Sequence, residues 1–200
     1  MSANRELWEK GDFTRIAATM RASGEALVDG LGIAPGMAVL DLGCGDGTTA
    51  LPAAERGAEV LGVDLTAKLL AAGEARAAAA GLDNVSFRES DASQLVDLDD
   101  ERFDLTLSVF GAMFAPRPYD VAKEMVRVTR PGGRIVMGNW IPGDPYGPTM
   151  NAFAAAAADG REGLLQAELD ALFADQNRSL DGGTEIAATF LLVNVTRSYP

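Results

Sequence analysis

Apolar positions along this chain follow two periods. Short runs at 37–42 (MAVLDL), 59–63 (EVLGV), 85–89 (VSFRE), 103–109 (FDLTLSV) and 134–140 (RIVMGNW) have the length and content of strands. Between them, 48–56, 67–80 and 118–129 read as helices. Residues 5–31 predict one or two more, with Ile16, Met20 and Leu27 spaced for one face. Thr66 is placed to cap the helix at 67–80, and Gly81 sits where a left-handed C-terminal cap belongs. RPGG at 130–133 reads as a turn ahead of the fifth strand.

Strands alternating with helices imply right-handed crossovers. They predict an α/β fold: a doubly wound, mostly parallel sheet with helices on both faces. The pattern then changes. Residues 142–149 (PGDPYGPT) read as a linker, and 150–176 as helix broken near Gly160 or Gly163. A last strand is expected at 186–196, antiparallel to the rest. The expectation is a single domain, with a helical cap at 1–33, a core at 34–141 and a C-terminal part at 142–200. The terminal strand, if left at the sheet edge, offers a pairing surface for a homodimer.

Composition narrows the function. Hydrophobic residues make up 48% and charged residues 23%, as in a soluble globular protein. No apolar run approaches the ~20 residues that span a bilayer. The first residues lack the apolar core of a signal peptide, so a cytoplasmic location and no membrane partner are expected. Seventeen basic against twenty-nine acidic residues leave a net charge of −12. That field repels phosphate backbones, and no basic stripe offsets it, so no nucleic-acid partner is expected. Histidine is absent and cysteine occurs once. Histidine-based catalysis, histidine metal sites and a structural zinc are thereby removed, and no metal is expected.

The chemistry concentrates in Asp41-Leu-Gly-Cys-Gly-Asp-Gly47, at the end of the first strand. Glycines there let the backbone pass close to a ligand, at the carboxyl edge where doubly wound sheets bind. Asp64 ends the second strand, twenty-one residues after Gly43. That spacing suits a carboxylate accepting from a ribose hydroxyl pair, although a strand-end or helix-capping role is the plain alternative. Both features would also serve a nicotinamide dinucleotide. The loop argues otherwise, because Gly47 follows Gly45 after one residue instead of two. In addition, Asp41 stands where a pyrophosphate would meet a negative neighbour. A ligand bearing an ammonium and a sulfonium fits better, which favours S-adenosylmethionine.

VLDLGCGDGT at 39–48 resembles motif I of the class I S-adenosylmethionine-dependent methyltransferases, and in particular the small-molecule group related to ubiquinone-biosynthesis methyltransferases. GVDLT, ESDASQL, FDLTLSVFGAMF and MVRVTRPGGRIVM continue the resemblance in the family's order over most of 5–142. The resemblance implies a Rossmann-like fold and S-adenosyl-L-methionine as cofactor. It implies that Asp41 orients the methionine end, with Gly43, Cys44 and Gly45 as a floor beneath it. Asp64 would hold the ribose hydroxyls and Leu65 would pack on the adenine. Asp91 and Ala92 would also contact the adenine, although an Asx turn with Ser93 competes for Asp91. Val109, Phe110 and Gly111 would line the methionyl side.

Other positions carry two readings each. Trp8, Asp12, Phe13 and Ile16 form either a lid over the cofactor or plain packing. Phe110, Met113 and Phe114 either wall an acceptor pocket or belong to the core. Cys44 reads as a small loop residue, not a catalytic thiol. No catalytic base stands out. FGAMF occupies the place of the Asn-Pro-Pro-Tyr-like tetrapeptide that accompanies amino methylation of bases or glutamine. Such folds usually end in a further helix and two antiparallel strands, whereas one strand is readable here, as though one were missing. The expected function is methyl transfer to a small-molecule acceptor by in-line displacement. The alternative is a cofactor-binding module with a reduced acceptor site.

Overall fold

The computed structural model describes residues 3–10, 13–141 and 190–199, with isolated positions between 160 and 171. The chain divides into two compact units, residues 1–139 with 192–200, and residues 140–191. The expected linker at 142–149 lies outside the described residues, as does most of the expected helix at 150–176.

The first unit opens with α1 (Ala3–Lys10) and α2 (Phe13–Asp29). There follow β1 (Ala38–Leu42), α3 (Ala50–Glu55), β2 (Glu59–Asp64), α4 (Ala67–Ala80) and β3 (Val85–Glu89). The remainder is β4 (Phe103–Val109), a 3₁₀ turn (Ala112–Phe114), α5 (Pro118–Val128), β5 (Thr129–Trp140) and β6 (Phe190–Thr196). The six strands lie in the order β3-β2-β1-β4-β5-β6. The pairs from β3 to β5 are parallel, and β6 is antiparallel at the edge. The fold is the Rossmann-like doubly wound sheet that the alternation predicts. Its chain order reverses between β1 and β4, which places a ligand crevice at their carboxyl ends. Among the described residues, no helix is long and apolar enough to cross a membrane.

Alternation along β1 explains the layers. Leu40 and Leu42 join Leu61, Val63, Val121, Met125 and Val128 in a core that α5 covers. Val39 joins Val60, Leu105, Leu107, Val28 and the α3 alanines on the other face. A strand buried on both faces reads as a continuous apolar run, as MAVLDL does. Asp41 shares the Val39 face, toward α3. At β4 the alternation slips: Phe103 packs in the α5 core while Leu105, two residues on, packs in the other.

The cause of that slip corrects one expectation. RPGG is not a turn ahead of a strand but an irregularity inside β5: Phe103 pairs with Thr129, yet Leu105 pairs with Arg134. Gly132 takes φ +77° there, a conformation that a residue bearing a Cβ resists. The β6 side anchors it, since the Gly132 N–H donates to the Arg197 carbonyl at 2.8 Å and the Arg197 N–H to the Gly133 carbonyl at 2.9 Å. Two helix expectations also change. Gly81 caps α4 in the left-handed region at φ +67°, but the Thr66 side chain makes no capping bond. In α2 the buried positions are Gly24 and Val28, while Ile16 is 54% exposed. Among the described residues a single strand, β6, follows β5.

Candidate active site

The carboxyl ends of β1, β2 and β4 converge because three backbones come very close there. Gly43, at φ +70°, leads the chain out of β1; a Cβ on it would lie 2.7 Å from Gly111 Cα. A Cβ on Gly111 would in turn meet the Leu42 carbonyl at 2.7 Å. The amides of Gly43 and Cys44 both donate to the Val63 carbonyl of β2, at 2.7 and 3.1 Å. Ser108 closes the β4 side: its hydroxyl donates to the Leu42 carbonyl at 2.6 Å and accepts the Ala112 N–H at 2.8 Å.

Two carboxylates flank this junction. Asp41 is buried and its Oδ2 accepts the Thr49 hydroxyl at 2.6 Å. Its Oδ1 is buried and has no partner among the described residues. Burial pushes its pKa up to about 7; the Thr49 bond opposes this and the nearby Asp64 charge adds to it. Asp64 accepts the Gly45 N–H on Oδ2 at 3.0 Å and the Thr66 N–H on Oδ1 at 2.9 Å. Burial raises its pKa as well. Each Asp64 oxygen already takes one backbone donor and keeps one further lone pair.

Cys44 lies beneath the loop with its thiol pushed well above its usual pKa by burial. Phe87 of β3 wedges in from below. A Cβ on Gly62 or Gly73 would meet its ring at 2.9 Å, and one on Gly47 at 3.2 Å. Those glycines admit the ring that supports the loop.

Asp91 follows β3 and forms the Asx turn that competes for it, its Oδ1 accepting the Ser93 N–H at 2.8 Å and hydroxyl at 2.6 Å. Arg117 stands 3.8 Å from the other oxygen. The segment behind it is pinned by α5: Glu124 accepts the Leu95 N–H at 2.7 Å, and Arg127 donates to the Leu95 and Leu98 carbonyls at 2.9 and 2.7 Å. Ala92 packs against the α5 core. Leu65 is half-buried beside Asp64, and Val109 packs on the α3 face. Phe110 holds φ +55°, an outlying conformation for a bulky residue, with its N–H donating to the Gly138 carbonyl at 2.9 Å. Strain of that kind gathers at functional sites.

The N-terminal helix reaches the same edge at two places. Arg5 pairs with Glu89, at the end of β3, at 2.5 Å. The Trp8 ring lies 4.8 Å from Phe13 and 5.2 Å from Phe114 between centroids. Of the four positions that read as lid or plain packing, Trp8 and Phe13 make these ring contacts, Ile16 faces solvent and Asp12 lies outside the described residues. Sequence reasoning missed Thr49, Ser108, Phe87 and Asp46. Asp46 is 1% exposed, and no local signal marks a loop carboxylate as buried.

Residues 40–137 match the family described as a methyltransferase domain. An uncharacterised protein of Mycobacterium tuberculosis strain H37Rv is 44% identical over 176 residues, covering 82% of this chain and 64% of that protein. The demethylmenaquinone methyltransferase of Renibacterium salmoninarum is 33% identical over 114 residues, 57% of this chain and 46% of that enzyme. The crystal structure of an S-adenosylmethionine-dependent methyltransferase from Mesorhizobium loti superposes with a TM-score of 0.52 at 32% identity, over 58% of this chain and 53% of that one.

Residues 40–137 of this chain are a methyltransferase domain of the class I S-adenosylmethionine-dependent kind. The chain spans 64% of the length of its mycobacterial relative. The loop between β1 and α3 suits that family's cofactor on two counts. The unpartnered Asp41 Oδ1 is an acceptor awaiting a donor, and the Gly43–Gly111 contact is a floor that any side chain would fill.

Proposed function

We propose that this methyltransferase binds S-adenosyl-L-methionine across the β1–β4 switch point and passes its methyl group to a small-molecule acceptor. One observation carries the reading: a buried carboxylate, Asp41, and a half-buried one, Asp64, flank a glycine-on-glycine floor at the carboxyl edge of the sheet. Asp41 faces the methionyl ammonium and Gly43, Cys44 and Gly45 form the floor. The free lone pairs of Asp64 take the ribose hydroxyls, and Leu65 packs on the adenine. Asp91 and Ala92 bound the adenine edge; Asp91 keeps one oxygen outside its Asx turn for the exocyclic amine. Val109, Phe110 and Gly111 line the methionyl side.

When bound, the cofactor supplies an electrophilic methyl group on a positive sulfur. The protein's part is to align the acceptor behind that methyl and to exclude water. Trp8, Phe13 and Phe114 form an apolar cover at that edge, which supports an uncharged acceptor surface. A net charge of −12 speaks against a nucleic-acid acceptor. Leu192 and Val195 are exposed on the edge strand β6, which supports a homodimer formed by strand pairing; sedimentation tests it.

Calorimetric titration with S-adenosylhomocysteine tests the cofactor site. Micromolar binding that Asp64→Ala weakens by about 1–3 kcal/mol, the worth of hydrogen bonds to a charged group, supports it. No binding to folded protein would overturn it. Binding of S-adenosylhomocysteine, with no methyl passed from S-adenosylmethionine to any acceptor in a screen, would favour a binding module instead.

A further inference from the structure

Directly after Gly45 the loop buries a third carboxylate for which the cofactor reading has no use. Asp46 is 1% exposed. Arg21 of α2 pairs with its Oδ2 at 3.2 Å and Arg76 of α4 with its Oδ1 at 3.2 Å. Thr48 donates its hydroxyl to Oδ1 at 3.2 Å, and Arg76 also donates to the Asp46 carbonyl at 2.6 Å.

The two helices seat on the loop in the same way. In α2, Gly24 stands one turn after Arg21, and a Cβ on it would meet Thr48 at 2.7 Å. In α4, Gly73 stands one turn before Arg76, and its Cβ would meet the Asp46 carbonyl carbon at 3.3 Å. Residues three apart share a helix face. Each helix therefore presents a glycine for close approach and an arginine for Asp46. Only the carboxylate is buried, with Arg21 45% and Arg76 26% exposed, so solvent screening of the arginines and desolvation of Asp46 leave the triad a poor source of net stability. What it supplies is a fixed arrangement of the backbone that carries it.

We propose that Asp46, held between Arg21 and Arg76, is the positioning residue of the cofactor loop and couples helix α2 to the cofactor site. The link is short. Asp46 adjoins Gly45, whose N–H donates to Asp64 Oδ2, so a displaced Asp46 turns that amide and frees the ribose-binding carboxylate. The coupling to binding rests on the cofactor reading above; the immobilisation of the loop does not.

The test compares wild type, Asp46→Asn, Arg21→Met and Arg21→Lys. Arg21 is the more exposed arm, so Arg21→Met keeps the fold if Asp46→Asn does not. Hydrogen exchange of the Gly45 and Gly47 amides is measured against that of β1 amides, with S-adenosylhomocysteine titrated in parallel. Loss of one charge-assisted pair predicts loop exchange faster by about tenfold relative to β1, and weaker binding by about three- to tenfold. Arg21→Lys should restore most of both. Loop and β1 amides accelerating together would overturn the proposal, since Asp46 would then be structural only. Faster loop exchange with unchanged affinity would overturn the coupling. Failure of wild type to bind the ligand would sink the cofactor reading, and the exchange data would still decide whether Asp46 holds the loop.

Discussion

Gly43 and Gly111 meet backbone to backbone: a Cβ on either would lie within 2.8 Å of the other's Cα. They come from the ends of β1 and β4, the strands between which the chain order reverses. Gly111 has an ordinary negative φ of −104°, so Gly111→Ala tests crowding alone. It should cost about 1–3 kcal/mol, as overpacking does, and weaken S-adenosylhomocysteine binding as the loops part. Gly81→Ala is the control, since nothing lies within 4 Å of its Cβ. It should cost about 1 kcal/mol for its left-handed φ and leave binding unchanged. Equal effects of both variants on affinity would sink the idea that this contact shapes the site.

The Trp8–Phe114 contact at 5.2 Å has an edge-on geometry. Such pairs contribute about 0.5–1.5 kcal/mol beyond area burial. A double-mutant cycle of Trp8→Ala and Phe114→Ala, read by urea unfolding, should return a coupling in that range. A coupling under about 0.3 kcal/mol, within ordinary additivity, would mean that α1 does not dock there.

The parts of this molecule legible in sequence are those set by local pattern. β1, β2 and β4, buried on both faces, fall where continuous apolar runs put them, and the edge strand β3 falls where apolar and polar residues alternate. The glycine loop was legible because close backbone approach demands glycine, as at Gly43 against Gly111, and Asp64 because the apolar run before it marks the end of β2. The features that escaped depend on distant partners. Thr66 stands at the N-cap of α4 as expected, yet its side chain makes no capping bond and its N–H donates to Asp64. RPGG looks like a turn until Arg197 pairs with its glycines. Asp46 looks like a solvated loop charge, and only Arg21 and Arg76, twenty-five residues before it and thirty after it, reveal it as buried.

Cys44 is 5% exposed and its thiol sits well above its usual pKa because burial and the nearby carboxylates disfavour a thiolate. Only the thiolate reacts readily. Alkylation by iodoacetamide at pH 8 should therefore be slower in the native protein than in urea by at least about a hundredfold. Comparable rates would mean an open loop and would revive a reactive role for this residue.

The Asp41 carboxyl gives the site a pH dependence of definite sign. Its pKa is about 7 when folded, against an ordinary value of 3.8, chiefly because of burial. Between those values the folded protein holds a proton that the unfolded chain releases. Ligand-free stability must therefore fall as pH rises through that window, by on the order of 2–4 kcal/mol. Asp64, also raised, acts in the same direction. Asp41→Asn should flatten the profile, so thermal melts of variant and wild type should diverge toward pH 8 in the variant's favour. Binding runs the opposite way. A methionyl ammonium set against Asp41 favours the ionised carboxylate, so S-adenosylhomocysteine affinity should strengthen as pH rises from about 5 to 7. Proton release should then make the calorimetric enthalpy depend on buffer ionisation. A wild-type Kd flat across that range, with no buffer dependence, would place the ammonium away from Asp41 and leave that carboxylate a purely structural acceptor for Thr49.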